Sequence, residues 1–398
     1  MQSYKHLILG GGMVAGYAVQ RFLQDGVGGH DIGILSADSA PPYERPPLSK
    51  GFLLGKEEES SVYINQPESY AENGVGLHLS TEVASVDLEA RTVSTTSGDF
   101  AFENLLIATG SAVRKLDVPG ADLAGVLYLR SLADSKRLKE AIASAGSVVV
   151  VGSGFIGMEV ASSAAQQDTK VTMVYPEDRL WQRFLSPELS DYFARYYQER
   201  GVELVPNDSV VEIIGDGSAG GVRTESGRRI KADAVVAGIG VTPVTGYLDG
   251  SGLRIDNGVR VNEFLETGTP GVWAAGDIAH YRDVIFNKDR RVEHWDNAVE
   301  QGKHVAASMQ GRREPFVHVP YYFSDIFDLS YEFWGDTEEA DEVIHRADWE
   351  ANSVNAMWFK GNRLVAALLM NRPDEERDEV QEWIREGTDL SGRKKDFP

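Results

Sequence analysis

The segment that most constrains the fold is residues 147–160, where an apolar run leads into Gly152-Ser-Gly-Phe-Ile-Gly157 and then into a helical pattern. Gly152 permits the tight turn, Gly154 lets the backbone approach a pyrophosphate, and Gly157 lets helix and strand pack closely. The helix N-terminus offers N–H groups and a positive dipole end to the phosphates. The segment therefore predicts a dinucleotide-binding unit.

A second glycine turn lies near the N-terminus, where an apolar run at residues 6–9 leads into Gly10-Gly-Gly12-Met-Val-Ala15. One such turn is weak support for nucleotide binding, because many strand-to-helix turns carry glycine for packing alone. Two in one chain predict two dinucleotides held face to face, with electron transfer from one to the other. An acid ~20 residues beyond the first glycines should bind a ribose. Asp38 is the nearest match, and it fits a turn-capping role equally well.

The composition excludes several classes of function. The 398-residue chain contains no cysteine, which excludes disulfides, thiolate metal sites and redox-active disulfides, and no metal site is predicted. A net charge of −22 disfavours nucleic acid and anionic membranes as partners. No segment approaches the ~20 apolar residues of a membrane span, and the chain begins directly with a strand pattern. We therefore expect a cytoplasmic protein.

Hydrophobic periodicity predicts alternating strands and helices. Strands are expected near residues 31–36, in a hairpin or meander at 83–102, at 105–111, 170–174, 232–240 and 271–275, and as a pair within 355–369 around a turn at 360–362. Helices are expected at 132–144, from about 291, and at 375–385. Asp277 is expected at the start of a helix, where the dipole favours a carboxylate that can bind a sugar hydroxyl. An ordinary N-cap would have the same sequence.

Glu177 follows the predicted strand at 170–174, where an acid accepts hydrogen bonds from a ribose diol and repels a 2′-phosphate. We therefore expect NADH rather than NADPH as the electron donor. Arg179 and Arg183 lie close by and could bind that phosphate instead, although arginines at such positions are commonly solvated or paired with acids.

Residues 42–50 read Pro-Tyr-Glu-Arg-Pro-Pro-Leu-Ser-Lys, a stiff segment because proline fixes φ and restricts the residue before it. Such a loop can hold Arg45 and Lys50 in fixed directions as a cofactor clamp. The alternative is a surface loop with solvated charges. Its position after a dinucleotide cradle favours the clamp.

Together these motifs resemble those of the pyridine-nucleotide flavin oxidoreductases of the ferredoxin reductase, apoptosis-inducing factor and monodehydroascorbate reductase group, over nearly the whole chain. The motif at 42–50 is highly specific for this group, whereas those at 108–110, 152–159 and 275–277 are shared more widely among flavoproteins. The resemblance implies an α/β fold with glutathione-reductase-like architecture. It has two Rossmann-like domains, an FAD-binding one at 1–115 and 241–316 and an NAD-binding one at 116–240, followed by a small C-terminal α/β domain at 317–398.

The resemblance also implies site residues. Phe155 is expected beside the flavin as a gate, His294 near the isoalloxazine, and Lys50 paired with Glu159 near the flavin's reactive edge, where a cation stabilises the electron density gained on reduction. The candidate catalytic residues are Lys50, Glu159, Phe155 and His294. The candidate cofactor-binding residues are Gly10, Gly12, Ala15, Asp38, Arg45, Lys50, Thr109, Gly110, Asp277, Glu293, His294, Phe323, Gly152, Gly154, Phe155, Gly157, Glu159, Glu177 and Gly240.

The activity that the resemblance implies is hydride transfer from NADH to FAD and electron transfer onward, with a ferredoxin-type iron–sulfur protein as the expected acceptor. Residues 320–325 resemble the aromatic-aromatic-Ser-Asp element of ferredoxin reductases, with Phe323 in place of the usual Trp. Residues 327–336 resemble monodehydroascorbate reductase, but Trp334 and Val299 occupy the positions of that family's active-site Tyr and Arg, which argues against ascorbyl radical. The alternatives are a monodehydroascorbate- or quinone-type diaphorase, and an NADH-sensing flavoprotein like apoptosis-inducing factor. A monomer or homodimer is expected.

Overall fold

A computed structural model describes residues 1–182 and 184–394. In this part of the chain, helices α1–α7 are, in order, Met13–Gln24, Pro67–Glu72, Leu132–Ser144, Phe155–Ala165, Pro187–Glu199, Trp295–Met309 and Asp374–Glu386. Strands β1–β25 are Gln2–Leu9, Ile32–Leu35, Gly76–His78, Val83–Asp87, Thr92–Thr95, Gly98–Ile107, Ser111–Val113, Val126–Leu127, Ser147–Val151, Lys170–Val174, Glu203–Val205, Val210–Asp216, Ser218–Thr224, Arg229–Lys231, Ala234–Ala237, Val241–Pro243, Val259–Arg260, Val272–Ala274, Ala279–Asp283, Lys288–Arg290, Tyr321–Ile326, Leu329–Gly335, Glu342–Asp348, Ser353–Lys360 and Arg363–Met370.

The chain divides into two compact units. The first consists of Met1–Arg45, Glu59–Ala112 and Thr242–Pro320, and the second of Pro46–Glu58, Val113–Val241 and the chain from Tyr321 onward. The boundary falls within the proline-rich motif, so that Arg45 belongs to the first unit and Lys50 to the second. The expected division into three domains stays a prediction. Its domains are 1–115 together with 241–316, then 116–240, and then 317–398.

The first unit is built on a sheet ordered β3-β2-β1-β6, in which β18 lies beside the C-terminal half of β6 and these strands run parallel. Antiparallel β5 pairs with the N-terminal half of β6 and continues into β4. Helices α1 and α6 pack against each other. Their close approach depends on Gly302 in α6, because a Cβ there would lie 2.8 Å from the Val14 carbonyl oxygen.

The second unit repeats this plan in a parallel sheet ordered β11-β10-β9-β15-β8. Its central strand β9 is a run of valines after Ser147, and the valines are buried. β-Branched side chains favour strands, and an apolar run without alternation is typical of a parallel strand covered on both faces. An antiparallel sheet β12-β13-β14 follows, and Val222 of β13 shares the apolar core with β9 and β15.

The C-terminal part of the second unit is an antiparallel sheet ordered β21-β22-β25-β24-β23, with α7 packed against β25. Hydrophobic residues of β24 and β25, such as Phe359 and Leu368, are buried. The α7 helix presents Val380, Trp383 and Ile384 as its buried residues, a spacing that places them on one helical face. The α/β class with two Rossmann-like sheets and a C-terminal α/β region is confirmed.

The element predictions are largely confirmed. Helix α3 and strand β10 have the expected limits, the segment at 83–102 lies in the β4-β5-β6 meander, and β24 and β25 flank the expected turn. The helix expected at Asp277 is wrong. That residue lies in a 3-10 turn, Gly276–Ile278, which leads directly into β19. The reason is the alternation of buried and less buried residues in β19, which satisfies a strand.

Across residues 1–182 and 184–394, no helix combines the length and apolarity needed to cross a bilayer. The C-terminal residues 391–398 read as a frayed tail in the sequence. Residues 391–394 form a turn, and residues 395–398 lie outside the described residues.

Candidate cofactor and redox site

The two glycine turns have nearly the same geometry. Gly10 and Gly152 each adopt φ +109°, a left-handed conformation that favours glycine. Each donates its N–H to the end of the next parallel strand, Gly10 to Leu35 at 2.8 Å and Gly152 to Val174 at 2.9 Å. In each unit the strand that carries the turn sits where the chain order of the parallel sheet reverses. Nucleotides bind at such a switch point, beyond the carboxyl ends of the strands.

Each turn contains one glycine that the fold requires and one, at the helix N-cap, that leaves space for a ligand. A Cβ at Gly10 would lie 2.3 Å from the Ala108 carbonyl oxygen, and one at Gly152 would lie 2.5 Å from that of Gly238, so the fold itself requires both glycines. Gly12 and Gly154 differ, because a Cβ at either would meet no protein atom within 4 Å. The open space above each N-cap lies at a helix N-terminus and fits a phosphate group.

The third position of each turn serves packing. Gly157 in α4 approaches the preceding turn so closely that a Cβ would lie 2.4 Å from the Gly152 carbonyl oxygen. Ala15 in α1 has no solvent exposure. Helix and strand therefore pack tightly at both turns, and only a small side chain is accommodated.

In the first unit, predicted residues meet at the carboxyl edge of the sheet. Gly10 follows β1, Thr109 and Gly110 follow β6, and Asp277 follows β18, which are neighbouring parallel strands. The Thr109 hydroxyl lies 3.1 Å from the hydroxyl of Tyr247, a neighbour that the sequence analysis missed. The Asp277 carbonyl accepts a hydrogen bond from Arg291 at 3.0 Å.

Asp38 and Arg45 are linked through Tyr43. The Tyr43 hydroxyl donates to Asp38 at 2.8 Å, and the Arg45 guanidinium carbon lies 5.8 Å from the centroid of the Tyr43 ring. The other Asp38 oxygen accepts from the backbone N–H of Ala40 at 3.1 Å. Asp38 therefore performs the turn-capping role, while its ribose-binding role stays a prediction.

Further along the first unit, Glu293 forms an ion pair with Arg291. His294 occupies the N-cap position of α6 with extended backbone. Both immediately precede the first residue of α6, the helix that packs against α1.

In the second unit, Glu177 lies beyond β10, and its Oε2 lies 3.2 Å from the Ser153 hydroxyl of the glycine turn. An acid at this place can reach a ribose bound at the turn. Arg179 pairs with Asp178 at 3.5 Å, and Arg183 lies outside the described residues. Gly240 follows β15 with φ +102°, and its carbonyl accepts from the N–H of Arg114 at 2.9 Å.

A buried polar cluster of the second unit is centred on Glu159 in α4, which is 4% exposed. Lys50 Nζ lies 2.6 Å from Glu159 Oε1, so the ion pair expected from the resemblance is present. Ser324 donates to the same oxygen at 2.7 Å, and Ser49 donates to Oε2. A buried carboxylate requires such donors, because desolvation of an unpaired charge is costly.

Ser49 and Ser324 are partners of Glu159 that the sequence did not predict. Both lie inside the motifs at 42–50 and 320–325. No local pattern marks the contacts, since Ser49 is 110 residues and Ser324 165 residues from Glu159 in the chain.

Two buried tyrosines, Tyr197 and Tyr331, lie near this cluster. Burial first, and then the Glu159 carboxylate, raise the pKa of both hydroxyls well above the usual range. They therefore stay neutral at physiological pH and add no negative charge beside Glu159.

Phe155 opens α4 among aromatic rings. It stacks on Phe184 with centroids 5.3 Å apart and lies parallel to Tyr322 at 6.0 Å, while Trp181 contacts it at 5.7 Å. Phe323, the neighbour of Tyr322, places its ring centroid 5.2 Å from Lys50 Nζ. Lys50 and Phe323 thus lie next to Glu159 in α4, the helix that Phe155 begins.

Comparison with known proteins identifies the family. Residues 4–302 match the family described as pyridine nucleotide-disulphide oxidoreductase, and residues 321–393 match a reductase C-terminal family. The chain belongs to the pyridine nucleotide-disulphide oxidoreductase family. This oxidoreductase nevertheless contains no cysteine, so it does not use a redox disulfide of its own.

Relatives and solved structures match this oxidoreductase over nearly its full length. Monodehydroascorbate reductases of Cucumis sativus and Solanum lycopersicum are each 34% identical, covering 96% and 95% of this chain and 94% and 93% of theirs. A ferredoxin reductase from Rhodopseudomonas palustris has a TM-score of 0.89 and 31% identity, with 96% of this chain and 93% of that chain covered. Putidaredoxin reductase, solved in covalent complex with putidaredoxin, has a TM-score of 0.92 and 27% identity, with 98% and 94% covered.

Reductases of this family use FAD and NAD(P)H, and this chain is a flavoprotein oxidoreductase that uses the same two cofactors. The glycine turns fit them, since the space at Gly12 and Gly154 admits a pyrophosphate at each helix N-terminus.

Proposed function

We propose that this oxidoreductase takes electrons from NADH and passes them to a small ferredoxin-type iron–sulfur protein. The observation that carries the proposal is the similarity, over nearly the whole chain, to a ferredoxin reductase and to a putidaredoxin reductase solved joined to putidaredoxin. Because the chain has no cysteine, electrons are not stored on a disulfide of this chain and leave from the flavin, whichever acceptor takes them.

Each of the two glycine turns is proposed to hold one cofactor. The Gly10–Ala15 turn holds FAD, with Thr109 and Asp277 at the same sheet edge, and the Gly152–Gly157 turn holds NADH, with Glu177 toward its ribose. The chemistry that bound FAD supplies is acceptance of a hydride from NADH and release of the electrons one at a time. The protein contributes binding and orientation, which convert an encounter into a positioned reaction.

Lys50 and Glu159 supply an oriented charge. The ammonium pairs with a buried carboxylate that also accepts from Ser49 and Ser324, so its position does not depend on a flexible surface contact. A fixed cation stabilises negative charge that develops on a reacting group, without reorganisation at the moment of reaction. Its predicted place beside the flavin remains part of this proposal.

A second candidate acceptor is the monodehydroascorbate radical. The 34% identity with plant monodehydroascorbate reductases favours it. Against it, the positions corresponding to that family's active-site Tyr and Arg hold Trp334 and Val299, each buried with 2% and 3% exposure. Val299 has no polar side-chain atom to replace the guanidinium, and Trp334 has an N–H donor but no acceptor in place of the hydroxyl.

Steady-state assays with NADH as the common electron donor and different electron acceptors test the proposal. A ferredoxin is compared with enzymatically generated ascorbyl radical and with a soluble quinone. We expect kcat/KM to be at least about tenfold higher with the ferredoxin, a difference equivalent to about 1.4 kcal/mol in transition-state stabilisation. Faster turnover with ascorbyl radical or quinone supports the diaphorase alternative. Slow turnover with all three, together with an NADH-dependent change in light scattering, supports the sensor.

A further inference from the structure

Ser324 brings the C-terminal sheet to the Lys50–Glu159 pair. It lies in β21 with no solvent exposure, and its hydroxyl donates to Glu159 Oε1 at 2.7 Å. That oxygen also accepts the hydrogen bond from Lys50 Nζ at 2.6 Å. The residue before it, Phe323, places its ring 5.2 Å from the same ammonium. Strand β21 therefore contacts both partners of the ion pair.

Ser49 completes the restraint from another direction. It is 2% exposed, precedes Lys50 in the chain, and donates to Glu159 Oε2. With a hydroxyl on each carboxylate oxygen, the carboxylate cannot rotate without breaking a buried hydrogen bond. Its orientation is thereby defined, and so is the direction in which it attracts the ammonium.

This restraint matters because lysine is flexible. Its four-carbon stem has many accessible rotamers, and a point-like ammonium has no directional preference of its own. A lysine acting on developing charge needs a second group that defines its position. In this chain that group is Glu159, and Glu159 is itself held by two serines from remote segments.

We propose that Ser324 is a positioning residue for flavin reduction by NADH: it orients Glu159 and, through Glu159, Lys50. The C-terminal sheet thereby takes part in the reductive step in addition to any role in acceptor binding. The inference rests on the proposed role of Lys50 and is independent of the identity of the acceptor.

Stopped-flow reduction of the FAD-loaded protein by NADH, without an acceptor and without oxygen, tests the inference. Ser324→Ala is expected to lower the limiting rate constant about tenfold, as loss of a hydrogen bond to a charged group does, with the NADH Kd changed by less than about twofold. Ser324→Thr keeps a hydroxyl and is expected to recover most of the rate.

Ser190→Ala is the matched control. Ser190 is also buried in a helix of the second unit, and its hydroxyl donates to the Leu180 carbonyl at 2.7 Å, away from Ser49, Lys50 and Glu159. Its rate constant is expected to stay within about twofold of the unmodified protein. Ser49→Ala provides a second test if Ser324→Ala fails to fold, because it removes the donor on the other oxygen.

A double-mutant cycle with Lys50→Met separates positioning from packing. If Ser324 acts through Lys50, then Ser324→Ala should have almost no further effect in the Lys50→Met background. A full effect in that background, a normal rate in Ser324→Ala, or equal loss in Ser324→Ala and Ser324→Thr each overturns the inference. An unmodified FAD-loaded protein that NADH does not reduce would instead show that the proposed function is wrong.

Discussion

Glu177 is the residue at which the choice of nicotinamide cofactor is expected to be made. Its carboxylate lies 3.2 Å from the Ser153 hydroxyl beside the glycine turn, where a bound ribose would meet it. Glu177→Gln keeps a hydrogen-bond acceptor but removes the charge that repels a 2′-phosphate. We expect the NADH-to-NADPH ratio of kcat/KM to fall about tenfold.

The neighbouring acid is the control for that prediction. Asp178 pairs with Arg179 and is more exposed, so Asp178→Asn should leave the ratio within about twofold. An unchanged ratio in Glu177→Gln, or an equal change in both variants, would show that Glu177 does not set the preference.

His6 makes stability depend on pH. Its ring is buried in β1 and stacks on Phe22 with centroids 4.7 Å apart, and burial, followed by the Lys5 charge, lowers its pKa to about 4. In the unfolded chain the pKa is about 6.5, so between these values the unfolded state binds a proton that the folded state does not. The contribution is therefore fully present above pH ~6.5 and is lost as the pH falls toward ~4, by about 3 kcal/mol in total.

Urea unfolding at several pH values measures this effect. The free energy of unfolding of the unmodified protein should fall more steeply between about pH 6.5 and 4 than that of His6→Leu, which cannot titrate. Parallel pH dependences would show that His6 does not contribute. Other acidic groups change the free energy of unfolding of both proteins equally, so the difference between the two proteins reports on His6.

At the scale of elements, each strand-turn-helix motif contains one glycine that the fold requires and one whose open space suits a ligand. Gly154→Ala places a methyl where no protein atom lies within 4 Å, at a backbone φ of −80° that alanine tolerates. We expect less than about 1 kcal/mol change in stability and at least a tenfold weaker NADH affinity, because about one methyl group occupies the pyrophosphate space.

Gly152→Ala, in contrast, is expected to lower the stability of the fold. Its φ of +109° and a Cβ 2.5 Å from the Gly238 carbonyl oxygen strain the turn itself, so the melting temperature should fall. Thermal melts and NADH titrations of both variants check this contrast. A strongly destabilised Gly154→Ala, or one with unchanged NADH affinity, contradicts it.

At the scale of the whole molecule, net charge is expected to govern the approach of the proposed electron carrier. The chain carries −22, which repels an acidic ferredoxin at long range. Salt screens that repulsion, so kcat/KM for an acidic ferredoxin should rise as ionic strength increases from about 10 mM to about 200 mM. A neutral quinone acceptor should show little change. A falling kcat/KM would indicate that a local basic surface directs the encounter.

Features with short-range causes could be predicted from the sequence. The turns at Gly10 and Gly152 depend on backbone freedom at a single residue, and β9 depends on consecutive β-branched side chains. Helix α3 has its expected limits because Ser131 and Asp134 form a capping box at its start. The prediction of a helix at Asp277 was wrong because two local patterns compete there. One is an N-cap signal, and the other is the alternation of buried and less buried residues in β19.

The environment of Glu159 could not be predicted in the same way. Its expected partner Lys50 came from a resemblance, and the serines that hold its carboxylate lie 110 and 165 residues away. Residues that far apart meet through the packing of α4, the proline-rich segment and β21, which no local period or spacing encodes. The glycine motifs were enough to indicate two nucleotides, whereas the placement of a charged lysine depended on buried hydrogen bonds that exist only after the chain has folded.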